Sequence, residues 1–213
     1  MAASVPTTRL CLVRHGETAW NAEHRVQGQL DVPLNGVGVA QAQRVARALA
    51  GERFDAAYAS DLSRTRQTAE PLVAAQNLRL VVEPALRERH YGIFERLTYA
   101  EVKRDYPEDY ARFDARDPEF DFRTGEKLRD FFARSVDAVA RIAARHPGGH
   151  VVVFTHGGVL DMLYRHIRGL PVTAARDFGI PNCGLNRVEF AGGAWRVLGW
   201  AEVAHLDEAR DDF

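Results

Sequence analysis

Cysteine is scarce in this chain of 213 residues, with only Cys11 and Cys183 present. Two cysteines make neither a disulfide framework nor a zinc site. They suit a reducing compartment, and Cys11, inside an apolar run, is expected in the core. An excess of one charge is missing as well: 28 Lys+Arg face 29 Asp+Glu. No overall field therefore recruits nucleic acid or an anionic membrane, and an anionic ligand has to be held by a local group of basic side chains. No stretch approaches the roughly 20 apolar residues that span a bilayer. Met1 to Thr8 lacks a charged region followed by an apolar segment, so no secretory leader is expected. Repeats and low-complexity tracts are absent too. The expectation is a cytoplasmic protein with neither nucleic acid nor membrane as partner. A hydrophobic content of 46% at this length allows a sizeable core within one domain spanning residues 1–213.

What is present alternates. The run Leu10-Cys11-Leu12-Val13 breaks at Arg14-His15-Gly16, as a buried parallel strand does on entering a loop. Helical spacing follows from Asn35 to Gly51, read as its C-cap. Ala56–Ala59 reads as a strand, and Ser60-Asp61 as an N-cap pair for a helix carrying Arg64, Arg66 and Thr68. Leu80–Val82 reads as a third strand. The charged and aromatic stretch from Thr98 to Phe122 reads as helix and loop laid over something, a lid covering about 94–125. A long amphipathic helix from about Lys127 to His146, a strand Val151–Thr155 and a helix Val159–Ile167 come next. A hairpin of Leu185–Phe190 and Trp195–Val203 turns at Ala191-Gly192-Gly193. This alternation predicts an α/β fold: a mostly parallel central sheet covered on both faces, with ligands at the strand carboxyl ends.

Two segments carry the chemistry. Val13-Arg14-His15-Gly16-Glu17-Thr18 and Phe154-Thr155-His156-Gly157-Gly158 each set a histidine after an apolar strand and before a glycine. If the strands are neighbours, the imidazoles converge. The glycines, Gly157 among them, would let a phosphate oxygen approach the backbone closely. Arg14 and Arg64 add planar forks that match phosphate oxygens bidentately. Nearby arginine charge keeps His15 neutral and nucleophilic while stabilising a transferring phosphoryl group. Glu88 supplies the proton donor that such a transfer needs. Taken alone, each histidine would be a satisfied polar residue, and Glu88 between Arg87 and Arg89 would be a surface ion pair. A metal site on His15 and His156 lacks carboxylate or cysteine companions, so no metal is expected. A non-catalytic phosphoester-binding module is a further reading, and it would take up no covalent phosphate.

The segment Leu12-Val13-Arg14-His15-Gly16-Glu17-Thr18-Ala19-Trp20-Asn21 comes first in a series of ordered motifs. Ser60-Asp61-Leu62-Ser63-Arg64-Thr65-Arg66-Gln67-Thr68-Ala69, then Glu88, then Thr155-His156-Gly157 follow it. Together they resemble the histidine phosphatase superfamily, which includes the cofactor-dependent phosphoglycerate mutases. The resemblance implies a three-layer α/β/α sandwich of the phosphoglycerate mutase kind. It implies His15 as the phosphorylated nucleophile, Arg14, Arg64 and His156 as phosphoryl ligands, and Glu88 as the acid/base. Asn21, Gln27 and Gly28 would flank the same pocket. Arg89 and Tyr91 match residues with which mutases contact phosphoglycerate, whereas Tyr99 stands where mutases carry a lysine and Arg112 and Arg116 are not adjacent. The short, acidic lid resembles the phosphatase branch. The expectation is thus hydrolysis of a small phosphorylated metabolite without a cofactor. The alternative is a mutase, which would depend on a bisphosphoglycerate primer. Relatives are often homodimers. Arg96 stands where many relatives have glycine, and Tyr99, Tyr106, Tyr110 and Phe113 suggest an apolar or aromatic leaving group.

Overall fold

Leu10, Cys11, Leu12 and Val13 are each at most 1% exposed, which a strand achieves at the centre of a sheet covered on both faces. The computed structural model describes residues 6–207. Residues 208–213 and 1–5, the latter holding most of the N-terminal stretch read above, lie outside it. In chain order the elements are β1 (Thr8–Arg14), α1 (Ala19–Ala22), α2 (Gly36–Ala48), β2 (Ala56–Ala59), α3 (Ser63–Ala75) and β3 (Leu80–Val82). They continue with α4 (Tyr99–Asp105), α5 (Pro107–Asp114), α6 (Leu128–Ala144), β4 (His150–Thr155), α7 (Gly157–Arg168), β5 (Leu185–Ala191), β6 (Ala194–Glu202) and α8 (Ala204–Asp207).

The described strands form one six-stranded sheet in the order β3-β2-β4-β1-β5-β6. The first four in that order run parallel, while β5 and β6 are each antiparallel to the neighbour before them. Period-two alternation divides β1 between two cores. Leu10 and Leu12 join Phe131, Val139 and Leu163 of α6 and α7. Cys11 and Val13 join Val45 of α2 and Leu72 of α3 on the other face. The result is the expected three-layer α/β/α sandwich. No helix among the described residues is long and apolar enough to cross a membrane.

Three local expectations are corrected. The C-cap of α2 is Leu49, not Gly51. The N-cap of α3 is Leu62, which gives no side-chain bond; Asp31 does that work from a distant loop, accepting both the backbone N–H and the hydroxyl of Ser63 at 2.7 Å. Ser60 and Asp61 are drawn elsewhere, as described below. Finally, the segment read as a cover has a core of its own. Phe94, Val102, Phe120 and Phe122 are at most 1% exposed and pack together with Val26. Tyr106 and Tyr110 pack against this cluster and line neither cavity described below.

Candidate active site

Strand pairing builds the centre of the site. Arg14 is the register partner of Thr155 across β1 and β4, and the His15 N–H donates to the Thr155 carbonyl at 2.9 Å. His15 and His156 therefore leave neighbouring parallel strands side by side, with ring centroids 5.2 Å apart. Both are buried, at 3% and 0% exposure. Gly16 has a different purpose from the one expected. A Cβ there would lie 2.7 Å from the Gly38 carbonyl oxygen, so the glycine lets α2 pack against the histidine loop.

Each ring has a fixed partner. Nδ1 of His15 is 2.8 Å from the Gly16 carbonyl. A carbonyl only accepts, so Nδ1 carries the proton and Nε2 keeps the lone pair. Nε2 of His156 shares a hydrogen bond with Ser60 Oγ at 2.8 Å, and this is where the supposed capping residue goes. Both imidazoles titrate well below the usual 6.5. Burial is the leading cause for each and the Arg64 charge is second, followed by Arg14 for His15 and by the His15 ring for His156. The sequence reading credited the arginines alone; burial outweighs them.

Arg64 is fully buried. Its Nη1 and Nη2 donate to the carbonyls of Leu30 and Gly28, each at 2.8 Å, which shows what the Gln27-Gly28 loop does for the site. Burial pushes its pKa down to about 10, still cationic at neutral pH. Arg14 Nη1 donates to the Ile180 carbonyl at 2.6 Å. The Nε atoms of both arginines, Nδ1 of His156 and Oε1 of Gln27 are buried and take no hydrogen bond within the described protein. The arginine Nε–H groups, and Nδ1 of His156 when it carries the proton, are available to donate to a phosphoryl oxygen, whereas the Gln27 amide oxygen only accepts.

Glu88 is not the surface ion pair that its neighbours suggested. Arg87 turns away to Asp61, and Arg89 donates to the carbonyls of Glu126 and Phe120 at 2.9 and 2.7 Å. The Glu88 carboxylate accepts the N–H of Arg89 at 2.8 Å and that of Gly158 at 2.9 Å. A Cβ at Gly158 would lie 2.0 Å from Glu88 Oε1, so α7 begins with small residues where the carboxylate approaches. Arg134 and Gln29 hold the backbone here, both donating to the Glu88 carbonyl at 3.3 and 3.1 Å. Glu17 supports its loop from outside, accepting Asn35 Nδ2 at 2.8 Å.

Two adjoining cavities result. One of about 400 Å³ is lined by Arg14, His15, Asn21, Gln27, Gly28, Arg64, Glu88 and Tyr91. The other, of about 510 Å³, shares Arg14, Glu88 and Tyr91 and adds Arg89 and Gly157. His156 lines neither and meets the site through its ring contact with His15. Asn182 also reaches the site: its Nδ2 donates to the His15 carbonyl at 2.8 Å and to Asn21 Oδ1 at 3.4 Å. Arg134, Asp31 and Arg176 were not anticipated, because each reaches the site through a distant fold contact that no local pattern announces.

Comparison with known proteins agrees with this geometry. The profile of the histidine phosphatase superfamily (branch 1) matches residues 10–203. Phosphoglycerate mutase-like protein 4 of Arabidopsis thaliana is 39% identical over 209 residues, 96% of this chain and 89% of that one. The metal-independent phosphoserine phosphatase of Arabidopsis thaliana is 39% identical over 203 residues, 93% of this chain and 83% of that one. The solved structure of a mycobacterial glucosyl-3-phosphoglycerate phosphatase superposes with a TM-score of 0.82 at 31% identity, covering 92% of this chain and all of the other. With motif order, strand-end histidines and a profile match over nearly the whole sequence in agreement, the chain belongs to the histidine phosphatase superfamily.

Proposed function

We propose that the chain hydrolyses phosphomonoesters of small metabolites in two steps through His15, without a metal. His15 Nε2 attacks phosphorus, forming a P–N bond as the ester P–O bond breaks, and Glu88 gives a proton to the departing oxygen. Water then attacks the phosphohistidine while Glu88 takes a proton back, releasing inorganic phosphate and restoring His15. Arg14, Arg64 and His156 hold the equatorial oxygens, and Asn21 and Gln27 flank them. The observation that carries this reading is the fixed tautomer of a buried histidine, with Nδ1 tied to Gly16 and Nε2 left as the nucleophile, beside two arginines. Metal independence is supported by the donor set, in which arginine charge does what a Lewis acid would do, and by the name of the plant phosphoserine phosphatase.

Hydrolysis is favoured over mutase action because the lid arginines are already committed, Arg112 to Asp117 and Arg116 to Asp161. Turning a bisphosphorylated intermediate round would need free positive charge at both ends. A reducing, cytoplasmic setting is part of the same reading, supported by two buried, unpaired cysteines.

The test is incubation of wild type and His15→Ala, with chelator present, with p-nitrophenyl phosphate and separately with 3-phosphoglycerate plus bisphosphoglycerate. Wild type should release free phosphate, and the variant should lose at least about 10³-fold of kcat, as nucleophile removal does. Formation of 2-phosphoglycerate would replace the hydrolase reading with the mutase. Activity abolished by the chelator would overturn metal independence.

A further inference from the structure

The loop between α7 and β5 is pinned at both ends. On one side Arg165 Nη1 donates to the Pro171 carbonyl at 2.7 Å and Arg116 Nε donates to the Val172 carbonyl. On the other, Phe178 packs on Tyr164 with centroids 4.1 Å apart, Trp200 Nε1 donates to the Gly179 carbonyl at 3.1 Å, and Arg14 holds the Ile180 carbonyl. Between these anchors stands Arg176. It lines both cavities, and its charge is felt by Arg14 and Tyr99. Among the described residues it has neither hydrogen bond nor ion pair.

Arg14, Arg64 and Arg176 all face the smaller cavity, and like charges disfavour one another. Glu88 lines the same cavity and is the foremost opposing charge for both Arg14 and Arg64, its carboxylate also accepting two backbone N–H groups. Asp161 is already shared between Arg116 and Arg165. Asp114 lies on the α5 wall of the larger cavity and repels an anion from that side. The phosphoryl group accounts for Arg14 and Arg64, which leaves Arg176 as one further cation at the junction of the phosphate site and the leaving-group space.

We propose that Arg176 is a specificity-determining residue that binds a carboxylate on the leaving group, so that the preferred substrates are phosphorylated carboxylic acids. This rests on the phosphatase reading above and adds the substrate class to it. A guanidinium matches a carboxylate through two parallel N–H donors, and such a charge-assisted contact corresponds to about 10- to 100-fold in affinity.

The experiment compares 3-phosphoglycerate with glycerol 3-phosphate, which differ by a carboxylate in place of a hydroxymethyl group. The ratio of their kcat/KM values is read in wild type, Arg176→Met and Arg176→Lys. The same pair is titrated calorimetrically into His15→Ala with and without Arg176→Met, reading binding without turnover. Wild type should favour the carboxylate by about tenfold or more, Arg176→Met should bring the ratio to near one, and Arg176→Lys should keep part of it. A ratio unchanged by Arg176→Met, or a wild type without preference, would overturn the proposal, including the case in which Arg176 touches only the phosphoryl group. A binding preference that collapses in Arg176→Met without hydrolysis in any wild-type assay would uphold this inference and sink the phosphatase reading instead.

Discussion

At the residue scale, the site depends on how each side chain is held as much as on which residue it is. Burial and a backbone acceptor fix the neutral tautomer of His15 that the proposed nucleophile requires. The carboxylate of Glu88 is held by the Gly158 N–H in the first turn of α7. If its task is proton donation, the loss on removal must depend on the leaving group. Glu88→Gln is expected to lower kcat by about 10²- to 10³-fold for an alkyl phosphate and by far less for p-nitrophenyl phosphate, whose phenolate departs without a proton. Steady-state kinetics on the two substrates check this, and equal losses would assign Glu88 a positioning role. The identities of His15, Arg14, Arg64, His156 and Glu88 were legible in the sequence because they sit in ordered motifs. The partnership of Ser60 with His156 was not, since a serine before a helix looks like a cap whether or not it serves as one.

At the element scale, helices and loops are held by partners far away in sequence. Asp31 caps α3, and Arg134 of α6 holds the backbone that carries Glu88. Eight described non-glycine residues have positive φ, and Arg96 has the largest. Arg96 adopts φ +76, a left-handed conformation that costs a side chain with a Cβ but suits glycine. It is exposed, and its backbone N–H donates to Val26 O at 3.0 Å, so a substitution need not disturb packing. Arg96→Gly is expected to raise stability by about 1 kcal/mol, roughly 2–4 °C in Tm, measurable by thermal melting followed by circular dichroism. A lower Tm would mean that the Arg96 side chain contributes more than its backbone costs. The resemblance marked this position, but only the dihedral angle gives the reason.

For the whole molecule, burying two histidines under arginine charge has a thermodynamic consequence. Both fold with pKa values well below 6.5, so below that pH the unfolded chain binds more protons than the folded one. Their contribution to stability is complete above pH 6.5 and is lost as pH falls beneath it, at up to about 1.4 kcal/mol per pH unit for each histidine. Urea unfolding between pH 7.5 and 5 should show this slope, and His156→Asn should reduce it by one histidine's share. An identical slope in the variant would mean that His156 is protonated in the folded chain.

The sequence by itself determined the alternation of elements, the mostly parallel sheet, and the residue types at the strand ends, because apolar periodicity and strand-to-glycine breaks are local signals. It also carried the family, through motifs that keep their order whatever lies between them. Tertiary structure alone decided that β1 and β4 are neighbours, which turns two separate histidines into one site. It also decided that the aromatic segment after Thr98 packs a core of its own, and that Arg176 arrives beside Arg14 with no hydrogen-bond or ion-pair partner among the described residues. These are meetings of atoms far apart along the chain, set by packing and loop closure, and no local pattern of residues encodes them.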